Sequence, residues 1–348
     1  MRVLIYSDGQ ATDGHERCFT QPDKPLQLWR IEHLYAEIQR IYNEQKCDAL
    51  WDLGDTTDDR TSIPVSVIDL MCDALEAFDG KWNLKLVGNH EQFLRDTRIH
   101  AGKMFRHFFH VVDSCETIKC GKVNILCISY HDDVNTIIDF LRRAPKTKPC
   151  VIIGHFQVAG CQMNSGVAAT GVPREMLEFA NVVLLGHIHK PQSLGTGFIH
   201  YVGSPFQQNW GESGENKRVG ILDITDEAIR LEWVPLEGFP RYRQVGFQEF
   251  CQLVNEKSED RYKVVLNSLD ETEQFYAHPL FNRADEAIYA YDIPPADAPK
   301  ADEPVTTIPR SKRDVLVKYM EKFPPAVSGI QLDNDAMLEF GESITNHL

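Results

Sequence analysis

Eight residues of this 348-residue chain have the types and spacing to do chemistry together: Asp8, Gln10, Asp55, Asn89, His90, His155, His187 and His189. They fall in five short segments: Ser7-Asp8-Gly9-Gln10, Gly54-Asp55-Thr56-Thr57-Asp58, Gly88-Asn89-His90-Glu91, Gly154-His155 and Gly186-His187-Ile188-His189. Oxygen and imidazole donors gathered in one place suit divalent transition metals such as manganese or iron. Two such ions about 3.5–4 Å apart polarise a phosphate, activate water at neutral pH and stabilise attacking and leaving oxygens. Asp8 and Asp55 would bring the charge. Asn89 and the imidazoles of His155, His187 and His189 would keep the cluster from becoming too negative. His187 and His189 flank one residue, and positions two apart on extended backbone point the same way. His90 follows a ligand candidate and is left over. It is placed to protonate a leaving alkoxide or to stabilise the transition state.

Each segment follows a short apolar run that reads as a buried strand: 3–6, 49–53, 84–87, 151–153 and 182–185. In an α/β sheet the carboxyl ends of the strands are where ligands bind. Helical spacing of apolar residues predicts helices over 24–45, 63–78 and 133–143, with Pro64 tolerated in a first turn. A short helix is expected over 173–179, and strands over 123–130, 198–202, 219–224 and 229–233. This pattern predicts an α/β fold, two layered sheets with helices outside. Further on, a helix over 248–256 and a strand over 262–266 predict a small α+β unit. Residues 293–309 are rich in Pro, Ala, Asp and Glu and read as an extended linker. Helices are expected over 311–323 and 333–344. The expected domains are therefore 1–236, 237–292, a linker at 293–309 and a helical segment at 310–348.

The chain is 43% hydrophobic and 25% charged, the balance of a soluble globular protein. A net charge of −15 argues against binding nucleic acid through a general positive field. It leaves a nuclease open, because metals supply positive charge at the site. No apolar run is long enough to predict a transmembrane helix. The nine cysteines are scattered without a Cys-x-x-Cys pair. They read as reduced, buried thiols, neither a zinc site nor a disulfide framework. With no visible secretory signal, a cytoplasmic location is expected.

The five segments, in this order, resemble the calcineurin-like metallophosphoesterases over residues 1–205. Tyr201-Val202-Gly203-Ser204-Pro205, followed by Asn209-Trp210-Gly211-Glu212, further resembles the SbcD-type DNA repair nucleases. That resemblance implies a two-sheet metallophosphoesterase sandwich, a small α+β capping domain that meets DNA, and C-terminal helices. The helices would dock on the coiled coil of an SbcC-type ATPase, with a homodimer in the complex. The short length is similar to versions carried by tailed phages, which act in the host cytoplasm. By the family pattern Asp8, Gln10, Asp55 and His189 would hold one metal, and Asp55, Asn89, His155 and His187 the other. Asp55 would bridge, and His90 would be the catalytic histidine. Asp58 would orient a neighbour or touch water.

One position departs from the pattern. The family has Asp-x-His where this chain has Asp8-Gly9-Gln10. A glutamine carbonyl oxygen is a weaker donor than imidazole. Gln10 would ligate directly, hold a ligating water or leave that site weak, with Asp13 and His15 as nearby substitutes. The expected cofactors are two divalent ions, manganese first, magnesium or iron next. Two other readings stand beside the nuclease: a phosphatase or phosphodiesterase for a small molecule or protein, and a weakly active scaffold for DNA ends. Singly, an Asp or Asn after a strand is a turn former or helix cap; it is the ordered set that carries the functional reading. His33, His100, His107, His110, His131 and His200 read as structural or surface residues. Arg142, Arg143, Lys146 and Lys148 read as a solvated face, and Phe156 and Trp210 as packing residues.

Overall fold

The computed structural model describes residues 1–94, 99–163 and 167–291, and the backbone of two short strands within 326–331. The chain divides into Met1–Tyr291 and Asp292–Leu348. The first part opens with β1 (Arg2–Tyr6), α1 (Leu26–Glu44), β2 (Ala49–Asp52), α2 (Val65–Leu75), β3 (Leu84–Leu86) and β4 (His110–Val112). It continues through β5 (Cys115–Cys120), β6 (Val123–Ile128), α3 (Val134–Arg143), β7 (Cys150–His155), β8 (Val182–Gly186) and β9 (Gln192–Leu194). Next come β10 (Ile199–Tyr201), β11 (Arg218–Ile224) and β12 (Ile229–Pro235), then β13 (Tyr242–Gly246), α4 (Phe247–Leu253), β14 (Arg261–Leu266), α5 (Leu269–Ala277) and β15 (Ala284–Tyr289).

Two six-stranded sheets form the sandwich, in the orders β12-β11-β1-β2-β3-β4 and β5-β6-β7-β8-β10-β9. Val3, Ile5, Trp51 and Leu84 of the first meet Ile125, Cys127, Val151, Ile153 and Leu184 of the second. Strand side chains alternate between faces, so the neighbours of these residues point outward. Leu4 and Leu50 pack under Ile31, Leu34 and Ile38 of α1 and Val67 and Met71 of α2. Leu126, Ile152 and Leu185 pack under Ile137 and Leu141 of α3. Strands covered on both faces must be apolar at nearly every position. That is why β1, β2, β7 and β8 read as unbroken apolar runs. The result is the predicted α/β sandwich flanked by helices.

Parallel pairing gathers the motif loops. β1 pairs with β2 and β2 with β3 in parallel, and so does β7 with β8, with His155 opposite Gly186. Within each sheet the loops after these strands therefore leave together at the carboxyl ends of parallel neighbours. The helices are shorter than their apolar spacing predicts, since Pro25, Pro64 and Asp133 take the N-cap positions. The helix expected over 173–179 is a single 3-10 turn, Arg174–Met176. β4 and β5 lie at sheet edges, half exposed, and gave no clear apolar signal.

β13, β14 and β15 form a three-stranded parallel sheet. With α4 and α5 it encloses its own apolar cluster of Val245, Phe250, Tyr262, Val264, Leu266 and Phe275. Where the sequence predicts a small α+β unit after the sandwich, strands and helices alternate and the sheet is parallel, so the arrangement is α/β. In Asp292–Leu348, a strand at Ala326–Val327 pairs antiparallel with one at Ile330–Gln331. The linker expected over 293–309 and the helices expected over 311–323 and 333–344 lie outside the described residues. Among the described residues no helix is long and apolar enough to cross a membrane. All nine cysteines are free.

Candidate metal centre

The motif loops are held in backbone conformations that L-residues rarely adopt. Asp8, Gln10, Asp55 and His187 have φ of 57°, 44°, 54° and 81°. Such left-handed residues persist only where their surroundings enforce them, and they cluster at functional sites. Here the loops enforce one another. Asp8 N–H donates to the Gly54 carbonyl at 2.9 Å, and Gln10 N–H to the Asp55 carbonyl at 2.9 Å. Both oxygens of Asp8 accept the His187 N–H, each at 3.1 Å. Space is tight as well. A Cβ on Gly88 would come within 2.1 Å of Asp55 Oδ1, so that loop passes the carboxylate only as glycine.

Four of the sequence-predicted donors converge. Ligand atoms of Asp55, His155 and His187 all lie within 4.8 Å of one another. Asn89 joins them, its Oδ1 standing 3.2 Å from His155 Nε2 and 2.7 Å from His187 Nδ1. Asp55 Oδ2 is 3.1 Å from His155 Nε2. The Nδ1–H of His155 donates to the Leu53 carbonyl at 2.7 Å, which fixes the ring and aims Nε2 at the cluster. Burial disfavours the His155 imidazolium, but Asp55 outweighs it and lifts its pKa to about 9. His187 goes the other way: burial and the neighbouring His155 push it down to about 3. A proton on His155 Nε2 thus supplies a positive charge among the donors. A metal ion would displace that proton, as ligation by imidazole requires. The donor set, its convergence and this demand for positive charge fit a divalent cation.

Asp8 and His189 lie beside this group, with His189 Nε2 3.9 Å from Asp8 Oδ1. Asp8 is fully buried, and burial raises its pKa. Gln10 follows at the same strand end, half-buried. Neither Asp13 nor His15 belongs to the converging donors among the described residues. His90 sits at the margin and donates its backbone N–H to Asp55 Oδ1 at 2.8 Å. Its Nδ1 lies 3.0 Å from Asp58 Oδ1 and 2.9 Å from the Asp58 carbonyl. The hydrogen bond to Asp58 is the main reason its pKa rises to about 9. Asp58 thus contacts a neighbour, and its side chain is also exposed to water, so both of its expected roles stay open.

Sequence reasoning missed the residues that hold the donors. Glu212 is fully buried and accepts the His189 Nδ1–H at 2.9 Å. Its other oxygen accepts from Lys217 Nζ at 2.7 Å and Ser204 Oγ at 2.9 Å. Burial opposes the Glu212 charge, yet His189 and Lys217 hold its pKa down at about 2. A carboxylate behind a ligating histidine fixes its tautomer and raises its basicity. Lys85 is likewise buried, 3.2 Å from Asp52 Oδ2 and 2.6 Å from Glu91 Oε1. Asp52 accepts the Gly54 N–H at 2.9 Å, and Glu91 the Gly88 N–H at 3.0 Å. This trio anchors the backbone just before Asp55 and Asn89. The only sequence signal was that Glu91 and Glu212 sit inside the motif segments.

The arrangement of these loops agrees with sequence comparison. A family model for calcineurin-like phosphoesterases matches residues 1–191. The chain belongs to that family. In this member of the family, Asp55, His155 and His187 form a group that could hold a metal ion. The SbcD component of the nuclease SbcCD from Staphylococcus saprophyticus is 25% identical over 142 residues, covering 39% of this chain and 38% of that protein. Its counterpart in Staphylococcus epidermidis is 29% identical over 94 residues, covering 25% of each. These matches therefore span well under half of either relative's length. A dimetal phosphatase from Danio rerio is similar in structure at 9% identity, covering 68% of this chain and 98% of that one, with a TM-score of 0.42.

Proposed function

We propose that this phosphoesterase is a two-metal DNA nuclease that acts with an SbcC-type coiled-coil ATPase in the recombination, repair or degradation of DNA. The reading is carried by the convergence of Asp55, Asn89, His155 and His187, with Asp8 and His189 beside them, where strands of both sheets end, in a chain similar to the SbcD component of the nuclease SbcCD. Asp8, Gln10, Asp55 and His189 would hold one ion, and Asp55, Asn89, His155 and His187 the other. Bound manganese, or magnesium or iron, would polarise the scissile phosphate and activate water. Around that chemistry the chain's own groups have distinct tasks. His90, held by Asp58, gives a proton to the leaving oxygen. His155 and His189 are kept in fixed tautomers by the Leu53 carbonyl and by Glu212.

Labelled linear duplex and single-stranded DNA, incubated with manganese, magnesium or chelator, with and without the ATPase, test the reading. Cleavage should need the metal, and Asp55→Ala should abolish it. Cleavage in excess chelator, or full activity in that variant, would falsify the mechanism. Intact DNA alongside rapid hydrolysis of p-nitrophenyl phosphate would instead favour a phosphatase.

A further inference from the structure

Next to the donor cluster lies a cavity of about 390 Å³ that the metal chemistry does not use. His187 belongs to both. Tyr130 forms one wall, its ring 5.6 Å from the His187 ring and tilted by 35°. The same ring stands 6.4 Å from that of His155. Buried Phe156 and Ile137, with Val134 of α3, make an apolar floor. His131, Asp132, Gln157 and Thr170 supply polar edges.

We infer that this cavity is a nucleobase subsite, which receives the base of the nucleotide whose phosphate lies at the metal centre. The inference rests on the nuclease reading and adds the part of the substrate beside the phosphate. Charge decides against a second phosphate. No lysine or arginine is among the described residues that line the cavity. Burial lowers the His131 pKa, which favours the neutral ring. Shape and chemistry favour a flat group that is apolar on its faces and hydrogen-bonds at its edge. The volume falls within the range of small-ligand pockets, and aromatic and apolar residues line it together with about as many polar ones. An aromatic wall also suits any base, because every base presents a π-face. Seating a base here requires it to leave the stack of its neighbours, so a strand end is the favoured place of attack.

The test compares ligands on the manganese-loaded protein. Thymidine 5′-monophosphate and deoxyadenosine 5′-monophosphate should bind roughly tenfold or more tightly than 2-deoxyribose 5-phosphate, the scale of base–aromatic stacking. Val134→Trp, which fills the floor, should erase that preference and leave manganese affinity unchanged. Equal binding of nucleotide and sugar phosphate by the wild type overturns the subsite, whether or not the variant folds. So does a preference that survives in folded Val134→Trp, or a tighter grip on phenyl phosphate than on either nucleotide. A nucleotide preference in a protein that leaves DNA uncut supports the subsite and overturns only the nuclease reading.

Discussion

His90 and Asp58 lie 32 positions apart yet act as one unit. The histidine donates its backbone N–H to Asp55 and its Nδ1–H to Asp58. His90→Ala should keep metal occupancy and slow turnover by roughly 10²–10⁴-fold, the range of a general acid. Loss of metal together with activity, measured by titration calorimetry, would make His90 structural instead. The ring charge has its own readout. In the metal-free protein His90 should titrate near 9, above the ordinary histidine value, because Asp58 stabilises the charged form. Asp58→Asn removes that partner and should bring the midpoint down toward the ordinary value, as followed by NMR. At this scale the sequence pointed to Asp8, Asp55, Asn89, His155, His187 and His189 by type, order and strand-end position, and the structure brings Asp55, Asn89, His155 and His187 together. Asp58 was left with two roles because its partner depends on how the loop closes.

Elements explain what the sequence hid. β1, β2, β7 and β8 are covered on both faces, so their apolar runs were plain. β4 and β5 lie at edges, where exposed positions break the pattern. Glu212 and Lys217 precede β11 on the approach from β10, and nothing local ties them to His189. Glu212→Ala should weaken metal binding about 10–100-fold, the usual cost of losing a partner behind a ligating histidine. Glu212→Gln keeps an acceptor for His189 Nδ1–H and should recover part of that loss. Equal affinities in calorimetry for wild type and Glu212→Ala would show that the contact does not position the ligand. Lys85 on β3 looked like an ordinary strand lysine. Burial works against its charge, but Asp52 and Glu91 outweigh this and keep it protonated. Lys85→Met would strand two buried carboxylates, and removing one partner of a buried ion pair costs about 3–5 kcal/mol. Urea denaturation should register that loss. An unchanged midpoint would mean water replaces the lysine.

Over the whole molecule, charge and core divide the work. A net charge of −15 gives no general attraction for DNA, so the proposed nuclease would take its grip from metals, local contacts or a partner. Every proposed metal donor lies within Met1–Tyr291, and among the described residues the four apolar clusters draw only on that part. The sequence beyond it carries Leu316, Tyr319, Met320, Phe323, Met337, Leu338 and Phe340 after a Pro-rich stretch. So many large apolar residues are costly in water, and an amphipathic helix laid on a partner's groove or coiled coil is a recurring way to cover them. An SbcC-type ATPase is the proposed partner. Truncation after residue 305 should leave a protein that unfolds at nearly the wild-type temperature and cuts simple DNA with metal. It should no longer co-purify with the ATPase or respond to ATP. Unfolding of the truncated protein would place the tail in the fold of the core. Undiminished ATPase binding would put the docking surface on the sandwich or its small three-stranded unit.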